Sequence, residues 1–239
     1  MLTRILSVGL LAGLVAGLLI AALQQFTTTP LILAAETYEK PAATAPATTA
    51  AAPAPHSHAG GEAHVHGEGW KPADGMPRFF FTAITTVVTA VGAAFVLIAA
   101  MIFAGVPIDE RRALAWAIAG FVACGLAPAA GLAPELPGSA AADLVGRQLW
   151  WVGTALATAV GLWAFLGDHT PIVRIGGIVL LLAPHVIGAP HPHELESKVP
   201  AELAAQFTAL SLVVQAMLWA LVGIGIGLLW PKFAPKPAR

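Results

Sequence analysis

Residues 79–103 read FFFTAITTVVTAVGAAFVLIAAMIF, without one charged side chain from Phe79 to Phe103. A helix needs about 20 consecutive apolar residues to cross the hydrocarbon core of a bilayer. A run of this length is a spanning helix, and it identifies the solvent of the chain as lipid. Inside lipid each backbone N–H must find its acceptor within the protein, so helices are the expected way across. Working outward, five further apolar runs appear at 5–23, 114–132, 149–166, 172–188 and 207–230. The run at 172–188 is the weakest, with Arg174 in its first turn and Pro184 near its end. Proline, glycine and charge punctuate the chain between the runs, as loops require.

Composition agrees. Of 239 residues, 57% are hydrophobic and 10% charged, whereas a soluble domain carries roughly 25% charged residues. So little charge cannot clothe a soluble core. The expected fold is an all-α membrane protein, a polytopic bundle of six helices, or five if the weakest run does not cross. The division is a first helix at 1–26, a disordered His-rich outer loop at 27–78, and a bundle at 79–239. Lys plus Arg is 12 and Asp plus Glu is 13, a net charge of −1. No basic excess is present to neutralise the phosphates of a nucleic acid. Cys124 is the single cysteine, which excludes an intrachain disulfide and a thiolate cluster. No phosphate-binding Gly-Lys loop, metalloprotease helix or nucleophile elbow occurs, so an enzyme has no residues to rest on. No cofactor is expected to be tightly bound.

The first run is longer than the apolar part of a cleaved signal peptide, about 7–15 residues, and is read as a retained helix. Gly9, Gly13 and Gly17 share one face of it, and Gly223 and Gly227 share a face of the last. Small residues at this spacing let membrane helices approach closely; glycine is also simply common in such helices.

Orientation follows from Lys and Arg near the span ends. With six spans, one side holds Arg4, Arg111, Arg112, Arg174, Lys232, Lys236 and Arg239. The short loops opposite hold Arg147 and Lys198, and the long loop adds Lys40, Lys71 and Arg78. The richer side, with both termini, is expected in the cytoplasm, the membrane being a bacterial inner membrane.

Seven of the eight histidines then fall on the outer side, and His169 alone lies inside. They come as His56-Ser57-His58 and His64-Val65-His66 in the long loop, and as His191-Pro192-His193-Glu194 before the last span. In an extended segment residues i and i+2 share a face, so two rings can converge on one ion. Neutral imidazole suits Co, Ni, Zn and Cu. The tracts are read as metal ligands by composition, against the alternative of soluble linker residues. Thioether and thiolate ligands are sparse, which argues against a Cu(I) carrier. His185 sits just within the outer end of the fifth run, beside Pro184. An ionisable group there is either functional or an interfacial histidine at a helix end, and the two readings stand level. The turn from Pro134 to Gly138 places Glu135 and Asp143 at the outer surface. Glu135 is read as a carboxylate that hands a cation inward; Asp143 is expected to pair with Arg147 at helical spacing.

The chain resembles the CbtA family, described as probable cobalt transporter subunits. The residues that carry the likeness are Gly125-Leu126-Ala127-Pro128, then Gly131-Leu132-Ala133-Pro134-Glu135-Leu136-Pro137-Gly138. Arg147-Gln148-Leu149-Trp150-Trp151 follows, with Thr154, Thr158 and Ala159-Val160-Gly161-Leu162, and lastly Pro184-His185-Val186-Ile187-Gly188-Ala189-Pro190. The likeness covers most of the chain outside the low-complexity loop. It implies uptake of divalent cobalt, Co(II), for cobalamin synthesis, beside a small one-span His-rich partner called CbtB. Family members are usually described with five spans, against six apolar runs here. The shared ligand chemistry leaves a nickel or zinc transporter as an alternative, and a non-transporting metal-buffering membrane protein as another.

Overall fold

A computed structural model describes residues 1–39, 72–73, 75–167, 169–192 and 197–234. Eight helices and no strand occur among them. α1 (Leu2–Phe26) is followed after Thr27 by α2 (Thr28–Glu39), and α3 is Met76–Phe103. α4 (Glu110–Phe121) runs through a π-turn (Val122–Leu126) into the short α5 (Ala127–Ala129). α6 is Leu144–Leu166, α7 is Pro171–Ile187, and α8 (Ala201–Leu229) ends in a 3-10 turn (Trp230–Phe233).

Each apolar run of the sequence is helical, and most helices extend past it by a turn. Five of the spans are long and apolar enough to cross a membrane, with α4 and α5 counted together. The weakest run, α7, has 17 residues, about 25 Å of helix, at the short end of the spanning range. Its role follows from the path of the chain. Arg4 donates to the Trp230 carbonyl at 2.6 and 2.9 Å and stacks on the Trp230 ring, so the start of α1 and the end of α8 lie at one end of the bundle, here the terminal end. α6 starts at the opposite end, the loop end, where Arg147 meets Glu135. α7 runs back antiparallel to α6: Gly177 lies against Gly161, and His185 against Trp150. The chain therefore regains the loop end before α8 begins, where Thr208 bonds the Pro134 carbonyl. α7 thus carries the chain back to the loop end as a shorter apolar helix beside the five long enough to span.

α1, α3, α4 and α8 form the main core, around Val8, Ile20, Ile98, Met101, Val222 and Ile226. Small residues set the spacing. A methyl added at Gly13 would overlap the Val91 Cα, and one at Gly17 would stand 2.5 Å from the Val87 Cα. One at Gly227 would stand 2.5 Å from the Glu110 Cα, and one at Gly223 2.6 Å from the Ala117 Cβ. Both glycine stripes are thus spent within the chain, α1 on α3 and α8 on α4. The turn into α4 is capped by Asp109, which accepts from the Arg112 amide at 2.9 Å. That amide, more than the Arg112 charge, holds the exposed carboxyl below its usual range.

Disorder is expected from the composition of 27–78, yet its start is helical as α2. Its Ala35 is buried with Leu136 and Val199, and Ile32, Leu203 and Phe207 pack around them. Glu36 of α2 forms an ion pair with Arg78 at the start of α3. The loop end is thereby closed by three connections that meet.

Gly13→Leu is expected to lower the thermal unfolding midpoint in detergent, since overpacking a tight contact costs typically about 1–3 kcal/mol. Gly92→Leu, where a new side chain meets open space, is the control. Equal midpoints for both variants would contradict the α1–α3 contact.

Candidate functional site

The loop end of α6 begins at Asp143, whose carboxylate accepts the Gly146 amide at 2.8 Å. Asp143 is therefore an N-cap, and the expected pairing with Arg147 is corrected. Arg147 turns away from it and meets Glu135 at 2.7 Å. A side chain that caps its own helix start satisfies one of the orphan amides, and this use leaves the arginine free for the loop carboxylate. The Arg147 Nε is buried without a partner.

The neighbouring residues explain the rest of the motif. In the Glu135–Gly138 turn, Leu136 is buried against α2 and the Val199 loop. Gly138 takes φ +80°, which favours glycine, and its carbonyl accepts the Lys198 amide at 3.4 Å. Gly131 lies under the Trp150 ring and beside the Ala189 methyl, with no room for a side chain. The Trp150 ring meets the His185 ring edge-on at 6.3 Å. Glu135, Arg147 and Trp150 thus fasten the α6–α7 hairpin to the loop end. Among the helices α7 touches α6 alone, and α6 reaches the main bundle mostly through the π-turn and α5.

Between the hairpin and the main bundle lies a cavity of about 380 Å³. It is lined by Glu135, Arg147, Gln148 and Trp151 near the loop end, and by Cys124 and Gln215 deeper in. Gln215 stands fifteen residues before Trp230, roughly 22 Å up the helix from the terminal end. It is a polar side chain within the span, and its Oε1 reaches to 2.5 Å from where a Cβ on Gly125 would stand. The cavity wall here is the π-turn, a widened turn that recurs at functional sites. Pro128 just beyond it has no N–H, so the carbonyls of the preceding turn lack one donor.

Of the expected metal residues, the structure brings Glu135 to this cavity. His185 is exposed in the last turn of α7, three residues before Gly188. It does not line the cavity. His191 is exposed at the loop end. His56, His58, His64, His66, His193 and Glu194 lie outside the described residues. Among the described residues no three His, Cys, Asp or Glu side chains converge on one point. Cys124 and Gln215 were missed as site residues. The signal for Gln215 was present, a lone amide in an apolar span; Cys124 gave none without its neighbours.

The family model described as "Probable cobalt transporter subunit (CbtA)" matches residues 2–231. The chain belongs to the CbtA family. No curated protein and no solved structure matches it. As a CbtA protein it is a multi-pass membrane protein with a transporter role, and Gly125, Pro128, Glu135, Arg147, Gln148 and Trp151 of its motifs line the cavity.

The corrected pairing has a measurable consequence. A double-mutant cycle between Arg147→Gln and Glu135→Gln should give a coupling of up to about 1 kcal/mol, the range of a partly exposed pair. The cycle between Arg147→Gln and Asp143→Asn should give less. A larger coupling to Asp143 would restore the helical pairing.

Proposed function

We propose that this CbtA protein carries divalent cobalt inward across a bacterial inner membrane, with both termini in the cytoplasm. The observation that carries the reading is the family match over 2–231, joined to a cavity at the loop end of the bundle whose largely apolar wall carries Glu135, Arg147, Gln148 and Gln215. The Lys/Arg excess at the terminal end supports the orientation. The His tracts at 56–66 and 191–194 would then face the outside. They would capture the ion, joined by His185 and His191 at the loop end, with Glu135 at the cavity. Imidazole and carboxylate both suit a borderline divalent ion. The word "subunit" in the family description fits a further chain, for which a small one-span His-rich protein of the CbtB kind is the proposed partner. The ion is cargo, and no resident cofactor is proposed.

Cells expressing the chain should accumulate more cobalt than cells without it, and excess nickel or zinc should compete less than unlabelled cobalt. Binding without accumulation in proteoliposomes would favour metal buffering instead. A reporter fused after Arg239 should be active in the cytoplasm, and one inserted after Lys198 outside; the reverse pattern would invert the direction.

Replacing His56, His58, His64 and His66 by Ala should raise the half-saturation concentration for uptake and leave the maximal rate. A cluster of ligands raises the local ion supply without forming the path. Because His185 is exposed at a helix end, His185→Ala should act in the same way. Loss of transport at every concentration in either variant would place those histidines in the path itself.

A further inference from the structure

The cavity holds its own cation. Arg147 occupies Glu135 at 2.7 Å, both side chains being a little under one-third exposed. A divalent ion that uses the Glu135 carboxylate must first separate it from the guanidinium. We propose that the cavity is a transient divalent-cation site formed by Glu135, Gln148, Cys124 and Gln215, and that Arg147 is the tethered counter-cation which the ion displaces and which then drives it onward. This rests on the transport reading above.

Three features support it. The lining offers a carboxylate, two amide carbonyls and the Cys124 sulfur, which binds an ion as the thiolate once its proton has passed to water, and this set suits a borderline ion better than Mg or Ca. The donors run from the loop end down to Gln215 within the span, so an ion leaving Glu135 has further ligands ahead. The retained arginine keeps the occupied site positively charged, since a +2 ion and a guanidinium share the cavity with one carboxylate. Conduction requires a site favourable enough to enter and weak enough to leave, and an intrinsic competitor supplies the weakness. The same arginine leaves the empty cavity near neutral, which disfavours occupation by small monovalent cations.

Cys124 provides the readout, because it is the single cysteine of the chain and it lines the cavity. The experiment uses the full-length protein in membranes. The rate of modification of Cys124 by a small charged methanethiosulfonate is measured against Co(II), with Mg(II) as control. Co(II) is expected to slow modification in the wild type and Mg(II) is not. The Co(II) concentration for half-protection should fall about tenfold in Arg147→Gln and rise about tenfold in Glu135→Gln. Arg147→Lys, which keeps the charge, should lie near the wild type. A merely structural ion pair would shift both single variants in the same direction, because each breaks the same bond. That result, or an absence of Co(II) protection, or a Cys124 that never reacts, would overturn the proposal. Cobalt uptake measured on the same preparations separates the two readings. Uptake without protection removes this site and keeps the transporter. Opposite shifts without uptake keep the cation site and remove transport.

Discussion

Lipid gives helices no hydrophobic reason to associate, so the closeness of packing must hold them. That constraint governs the main bundle. Gly13 and Gly17 admit the α3 backbone against α1, and Gly223 and Gly227 admit α4 against α8. Ala12, Ala16, Ala90, Ala94, Ala113 and Ala117 fill the same seams and are buried. Larger residues there would hold the backbones apart and forfeit the many short-range contacts that stabilise the fold. The four helices so joined share one core, and Arg4 on Trp230 fastens its terminal end.

The α6–α7 hairpin is attached by another chemistry. Within it Gly161 and Gly177 again allow close approach. Toward the main bundle it relies on the loop end: Arg147 on Glu135, Trp150 over Gly131 and Ala189, and α6 against the π-turn. A unit sealed by small residues and a hairpin stitched on at one end do not close on each other along their length. The cavity is the space between them. Its wall is mostly apolar, and Cys124 and Gln215 reach it from the edge of the main core.

The sequence made the apolar runs legible because their length is imposed by the bilayer, and a 25-residue uncharged stretch such as 79–103 has no other reading. The return helix α7 was legible only as a weak run. Its direction is read from the contact of Arg4 with Trp230, which lies 226 positions away. Glycine spacing announced close packing but could not name the partner, since any helix accepts a small-residue face. Arg147 shows the limit most clearly. Asp143 stands four positions before it and Glu135 twelve, and local spacing favours the nearer carboxylate. What decides the matter is that the start of a helix needs a cap, and Asp143 serves as one. Helix α2 was hidden by a composition of Ala, Thr and Pro that resembles the linker after it. Ala35 reveals itself as core when Leu136 and Val199 arrive from distant loops.

The degree of burial of the Glu135–Arg147 pair matters more than its presence. A deeply buried ion pair is hard to break, since removing one partner strands a charge away from water at a cost of about 3–5 kcal/mol. A fully exposed pair is worth about 0–1 kcal/mol and would hold nothing in place. This pair lies between, with side chains 29% and 28% exposed. Water can therefore reach both partners and solvate them as they part, while enough of the guanidinium is enclosed to define where it rests. Such a pair orders the empty loop end and still opens to a competing ion at modest cost. The residues that anchor the hairpin are also those the proposed ion would rearrange, so under that proposal an ion at Glu135 would release the hold of Arg147 on the loop end.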